Sequence, residues 1–183
     1  MTTLFTPFFA ASRRGDGWFF AGLKSSFPNL DKSGVDIIHE PKPCENGESV
    51  PGCKVFSVPA SDSSKTEQVE GDDMILHDGA ALQDQVLIFQ YKGRVHAVDN
   101  KCPHSAFPLA RGTPFDIEDF GVVLSAGIHC PKHGWSFDLI TGLSDRNNYM
   151  LRRWEVELRP VKDKQGDNED AEEVWVRRKQ RLG

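Results

Sequence analysis

The chain has 183 residues, a formal net charge of −5, 38% hydrophobic side chains and 27% charged ones. That length sustains one good core and is short for two ordinary domains, and no apolar run approaches the roughly 20 residues of a membrane-spanning helix. The acidic balance argues against nucleic acid, whose phosphates call for a basic stripe, and on net charge alone a protein partner with a basic docking face is expected.

Taken in order, residues 1–15 read as a loosely ordered apolar arm. Phe5, Phe8, Phe9, Arg13 and Arg14 without an acidic residue faintly resemble a mitochondrial presequence, but Pro7 interrupts any amphipathic helix. A cytoplasmic location is expected, with the mitochondrial matrix as the alternative. Residues 16–183 read as a single domain. Trp18 to Leu23 reads as a first strand. Asp31 to Gly52, carrying Pro41, Pro43 and Pro51, reads as a surface loop. Cys53 to Pro59 alternates as a half-buried strand does, and Ala60 to Asp73 reads as a polar loop. Cys44 and Cys53 are expected as two free thiols in a reducing compartment, with a disulfide as the alternative.

Val86 to Tyr91, Lys92-Gly93 and Arg94 to Val98 form the clearest hairpin in the chain. Its second arm runs through Asp99, Asn100 and Lys101 into Cys102-Pro103-His104. Val122 to Ala126 reads as another strand, feeding Cys130-Pro131-Lys132-His133-Gly134-Trp135 through Gly127 to His129. Trp154 to Leu158 and Glu173 to Arg177 both alternate and read as a closing hairpin with an acidic, solvated connection. With no repeat and no strongly amphipathic helix, the expected fold class is all-β, an antiparallel sandwich or barrel.

Two Cys-and-His pairs, spaced i,i+2 and i,i+3, offer two soft sulfurs and two nitrogens to a metal. Zinc fingers group thiols with thiols and imidazoles with imidazoles along the chain. Here each pair is mixed, as two short loops reaching across both irons of a [2Fe–2S] centre would be. A structural zinc-binding β module stays open as the alternative. Asp36-Ile37-Ile38-His39 begins a two-histidine, one-carboxylate iron motif, but the position of its next histidine is Cys44, so no oxygenase catalytic iron centre is expected. His129 beside a ligand reads as a bystander, because neighbours on an extended segment face opposite ways. His96 is expected to face solvent or to make a structural hydrogen bond; His39 and His77 carry no assignment.

Cys-Pro-His followed by Pro108-Leu109, and Cys-Pro-Lys-His-Gly-Trp followed by Phe137-Asp138 and Thr141-Gly142, closely resemble the two cluster-binding loops of Rieske proteins. The likeness is to soluble Rieske-type ferredoxins and oxygenase Rieske domains. It implies one [2Fe-2S] cluster per chain, with Cys102 and Cys130 on one iron and His104 and His133 on the other. It also implies base strands at 16–99 and 143–183 with a cluster-binding subdomain, 100–142, inserted between them. The function implied is one-electron transfer between a redox protein donor and acceptor, a flavin-containing reductase and an oxidase or oxygenase. Alternatively, the chain is a Rieske relay subunit of a larger oxygenase or nitrite-reductase-type complex.

High-potential members of the family carry a disulfide where this chain has Phe107 and Lys132, and hydroxyl donors where it has Trp135 and Phe137. Fewer donors to the cluster sulfurs destabilise the more negative reduced state, so a midpoint of about −150 mV is expected. Ala106 stands where ferredoxin-type loops commonly have glycine, and alanine resists positive φ.

Overall fold

The computed structural model describes residues 14–34, 36–37, 42–43, 49–75, 81–146, 148–161 and 171–179. His39, Cys44, His77 and the acidic connection at 162–170 lie outside these, as does most of the arm at 1–15. In chain order the strands are β1 (Phe19–Leu23), β2 (Asn29–Leu30), β3 (Lys42–Pro43), β4 (Ser49–Val50), β5 (Cys53–Ser57), β6 (Glu67–Val69) and β7 (Gln85–Tyr91). They continue as β8 (Arg94–Asp99), β9 (Thr113–Asp119), β10 (Val122–Cys130), β11 (Trp135–Asp138), β12 (Trp154–Pro160) and β13 (Glu172–Arg178). The remaining regular structure among the described residues is short 3-10 turns, so the fold is all-β.

The strand β7 explains why its sequence lacks polar alternation: all seven of its residues are buried. Successive side chains on a strand point to opposite faces, and here both faces are covered. Val86 and Ile88 enter one core with Phe19, Phe56, Val58, Trp154, Val174 and Val176. Leu87, Phe89 and Tyr91 enter a second core with Val55, Leu109, Ile128, Phe137 and Leu151. Full burial of each such side chain contributes about 1.5–3 kcal/mol.

Three sheets make these two cores. The central one pairs β7 with β8 and β5, with β6 outside β5 and β2 running parallel to the end of β7. On one side lies the antiparallel β1–β13–β12 sheet, joined to the central one where Val98 bridges Arg153 and the Asp99 amide donates to the Arg152 carbonyl at 3.0 Å. On the other side lies the antiparallel β11–β10–β9 sheet. A two-residue pairing of β3 with β4 stands apart.

The hairpin at Lys92-Gly93 is present, with φ of 48° and 79° at its two turn residues. Glu67–Val69, read as loop, pairs with β5 along an edge where its polar side chains stay wet. The acidic 116–119 stretch belongs to β9, because Asp116 accepts a hydrogen bond from the Tyr91 hydroxyl at 3.0 Å and pairs with Lys92. Phe120-Gly121 then forms a second tight turn, with φ of 47° and 78°. His96 is buried rather than solvent-facing: it packs its ring 5.6 Å from that of Phe89 on β7.

Candidate cluster-binding site

Both Cys-and-His stretches leave strands and close on themselves in the same way. In the first, the Ala106 amide donates to the Cys102 carbonyl at 2.9 Å, and Ala106 has a φ of 51°. In the second, the Gly134 amide donates to the Cys130 carbonyl at 3.1 Å, and Gly134 has a φ of 72°. Each loop is thus a five-residue turn ended by a left-handed residue. Ala106 takes up the positive φ that alanine resists, at a cost of about 1–2 kcal/mol.

The first loop is further tied by the Cys102 amide donating to the Phe107 carbonyl at 2.8 Å and by Asn100, a residue the sequence did not single out. Asn100 is fully buried, and its side chain donates to the Met74 carbonyl at 3.2 Å and to Gln85 Oε1 at 2.9 Å. Its Oδ1 accepts from the Ala110 amide at 2.8 Å, and its carbonyl accepts from the Leu109 amide at 2.7 Å. One amide therefore joins the entry and the exit of the loop to the central sheet. The only signal in the sequence is its position between a strand and a ligand, which many solvent-exposed asparagines share.

The second loop sits inside the β10–β11 hairpin, where Cys130 faces Trp135 and His129 faces Ser136. His129 Nδ1 lies 3.2 Å from Ser136 Oγ, so its ring is engaged across the strands. After β11, the Asp138 carboxylate accepts from the Ile140 and Thr141 amides at 2.6 and 2.7 Å, and the Asp138 carbonyl accepts from the Gly142 amide at 2.8 Å. That turn accounts for the Asp and Thr-Gly of the motif as structural parts. Residues 143–146 and 148–150 then fold back: Arg146 donates to the Gly134 carbonyl at 2.8 Å and lies 5.4 Å from the Trp135 ring.

Cys102 and Cys130 are buried where the two loops meet, close enough to shift one another's ionisation. Their interaction holds the Cys102 thiol down to about 5 against the opposing effect of burial, and pushes the Cys130 thiol up. Ser105 Oγ lies 3.9 Å from Cys130 Sγ. The two imidazoles form a second pair, His104 edge-on to His133 with ring centroids 5.1 Å apart. His104 stacks on Trp135 at 4.2 Å and 15° and meets Tyr149 edge-on at 5.6 Å. His104 Nδ1 is buried and has no hydrogen-bond partner, whereas His133 is exposed.

These observations bear on which group fits. Two cysteines brought together and two imidazole rings brought together suit two irons better than one tetrahedral ion. An unpartnered buried imidazole nitrogen costs about 1–3 kcal/mol unless a ligand satisfies it. Between the two loops, Lys132 Nζ lies 5.8 Å from the Phe107 ring, and Arg111 lies 5.5 Å from the same ring. A cation–π contact, worth about 0.5–1 kcal/mol at an exposed site, thus joins the two loops here.

Comparison with known proteins places this geometry. A human Rieske domain-containing protein is 38% identical over 81 residues, 44% of this chain and 43% of that one. Mouse apoptosis-inducing factor 3 is 39% identical over 59 residues, 32% of this chain and 8% of its own length. A 4beta-methylsterol monooxygenase of Methylococcus capsulatus is 36% identical over 56 residues, 31% of this chain and 13% of the relative. The match thus spans less than half the length of each of these relatives. A Mycobacterium tuberculosis crystal structure assigned as an NADH-dependent nitrite reductase small subunit aligns with a TM-score of 0.47 and 16% identity, covering 90% of this chain and 97% of that one. The profile of the Rieske [2Fe-2S] domain matches residues 53–152, more than half of the chain. The chain therefore belongs to the Rieske [2Fe-2S] domain family, binds a [2Fe-2S] cluster and serves iron–sulfur electron transfer.

Proposed function

We propose that Cys102 and Cys130 hold one iron of the cluster and His104 and His133 the other, and that the protein is a soluble ferredoxin carrying one electron between a flavin-containing reductase and a terminal oxidase or oxygenase. In this reading residues 100–142 are the cluster-binding subdomain and the strands before and after them its base. The observation that carries it is the pairing of donors, buried sulfur beside sulfur and imidazole beside imidazole, with His104 Nδ1 buried and unpartnered.

The cluster supplies a one-electron couple when bound. The residues do the rest. Burial of Cys102 and Cys130 keeps water from the sulfur end. Trp135 holds the plane of His104 by stacking, which fixes the direction of its ring nitrogens. The exposed His133 gives the nitrogen end a surface edge, the shortest route for an electron to a docked protein. Among the described residues no helix is long and apolar enough to cross a membrane.

A second reading, a relay module within a larger oxidoreductase, draws support from the short share of each long relative that the match occupies, 8% of apoptosis-inducing factor 3 and 13% of the monooxygenase. Co-purification separates the two, since a ferredoxin is isolated alone and a subunit with its partner. The decisive experiment measures absorbance, EPR after dithionite, iron and acid-labile sulfide on one fresh sample. A coloured protein with two irons and two sulfides and a Rieske-type signal is expected. His104→Ala or His133→Ala should abolish that signal and His129→Ala should leave it nearly intact; a colourless zinc protein would end the proposal.

A further inference from the structure

We infer that the face around the imidazoles docks a redox protein whose own docking face is acidic with an apolar centre, the opposite sign from what the chain's net charge suggests. The inference rests on the ligand assignment above, because it takes the exposed His133 as the point of electron exchange.

The charges surrounding the two loops are mostly positive. Lys101 and Arg152 line an open depression of about 370 Å³ beside His104 and Ser105. Arg111 and Lys132 lie over the Phe107 ring, and Arg146 over Trp135. Among the described residues, the carboxylates paired with Arg111, Lys132, Arg146 and Arg152 are Asp99 and Asp145, and both are engaged. Asp99 accepts from Trp154 Nε1 at 2.7 Å with Arg152 at 3.9 Å, and Asp145 accepts from the Ser136 amide at 3.1 Å with Arg146 at 3.0 Å. Within this collar Leu143, Tyr149 and Met150 are exposed, an apolar centre beside the histidines.

Among the described residues, one acidic cluster lies well away from this face. Glu118 and Asp119 sit at the exposed β9–β10 turn, at the far end of the nine-residue β10 from Cys130. At about 3.3 Å per residue that is roughly 26 Å away. The screening length at physiological ionic strength is about 8 Å, so those carboxylates contribute little at the docking face while the collar acts unscreened across a contact. Local charge therefore outweighs net charge in steering a partner.

The test uses small redox probes of opposite sign on the reduced holoprotein, hexaamminecobalt(III) as the cation and tris(oxalato)cobaltate(III) as the anion. In each reaction one electron leaves the protein and cobalt(III) becomes cobalt(II). The second-order rate constant for the anionic probe should fall several-fold from low to physiological ionic strength, and that for the cationic probe should rise. Lys132→Glu combined with Arg152→Glu should reverse both slopes. A cationic probe that slows with salt, or slopes unchanged in the double variant, would overturn the inference. Failure of the ligand assignment reads out separately, as loss of the Rieske EPR signal before any probe is added.

Discussion

In the first loop Ala106 closes on Cys102, and in the second Gly134 closes on Cys130, so the two turns share a shape; the weight of their anchoring differs. The first is tied to the body through Asn100, by its buried side chain as well as its backbone, whereas the second is held by backbone pairing within β10–β11 and by the Asp138 turn. The difference teaches that a rigid metal loop can be made in two ways, by a satisfied buried amide or by sheet register. A side-chain anchor fails when one residue changes, and a register anchor spreads the load over many groups.

Four measurements break or sharpen that contrast. Asn100→Ala strands the Met74 carbonyl, the Gln85 side chain and the Ala110 amide, each buried unpaired group costing about 1–3 kcal/mol. A loss on the order of 4 kcal/mol in denaturant unfolding is expected. Ser136→Ala, which removes one cross-strand bond of the second loop, should cost within about 1 kcal/mol; equal losses would erase the distinction.

The strands feeding the loops add a second asymmetry. Burial, aided by the nearby Arg94 charge and opposed by Asp138, pushes His96 on β8 down from 6.5 to about 4. The unfolded chain binds that proton and the folded one refuses it, so its contribution is full above pH 6.5 and is lost as pH falls toward 4. About 3 kcal/mol of stability should disappear over that window. In His96→Phe the acid-side slope of stability against pH should flatten; a slope identical to wild type would show that His96 is not the group responsible.

The turns themselves come next. A Cβ on Gly134 would meet nothing closer than His129 Cε1 at 3.9 Å, so Gly134→Ala should cost only the left-handed strain, about 1–2 kcal/mol. Ala106→Gly relieves the same strain and should raise the thermal midpoint, less an entropic offset of about 0.5–1 kcal/mol. A lowered midpoint in Ala106→Gly would mean that the methyl group packs to advantage.

The smallest effect is electronic. Toward a thiolate, the Ser105 hydroxyl beside Cys130 is the donor, and a donor stabilises the more negative reduced state. Removing a bond worth about 1 kcal/mol corresponds to about 40 mV for a one-electron couple. Ser105→Ala should therefore shift the midpoint downward from about −150 mV by that much. A redox titration that finds a clearly positive wild-type midpoint would refute the low-potential expectation, whatever Ser105 does.

What the chain carries locally was readable without a structure. The Lys92-Gly93 hairpin, the all-β class and the four candidate ligands rest on residue types at short spacings, and short spacings are local information. Tertiary structure decided the rest. The run Val86 to Tyr91 reads as strand, but that both faces of β7 are buried depends on sheets assembled from distant residues. Asn100 and His96 look unremarkable in sequence because what defines them, a sealed set of partners and loss of solvent, comes from segments tens of residues away. Ala106 shows its left-handed backbone only once the loop is closed. Net charge is a sum over the chain, and a sum holds no positions: only the fold separates the acidic β9–β10 turn from the basic collar around the histidines.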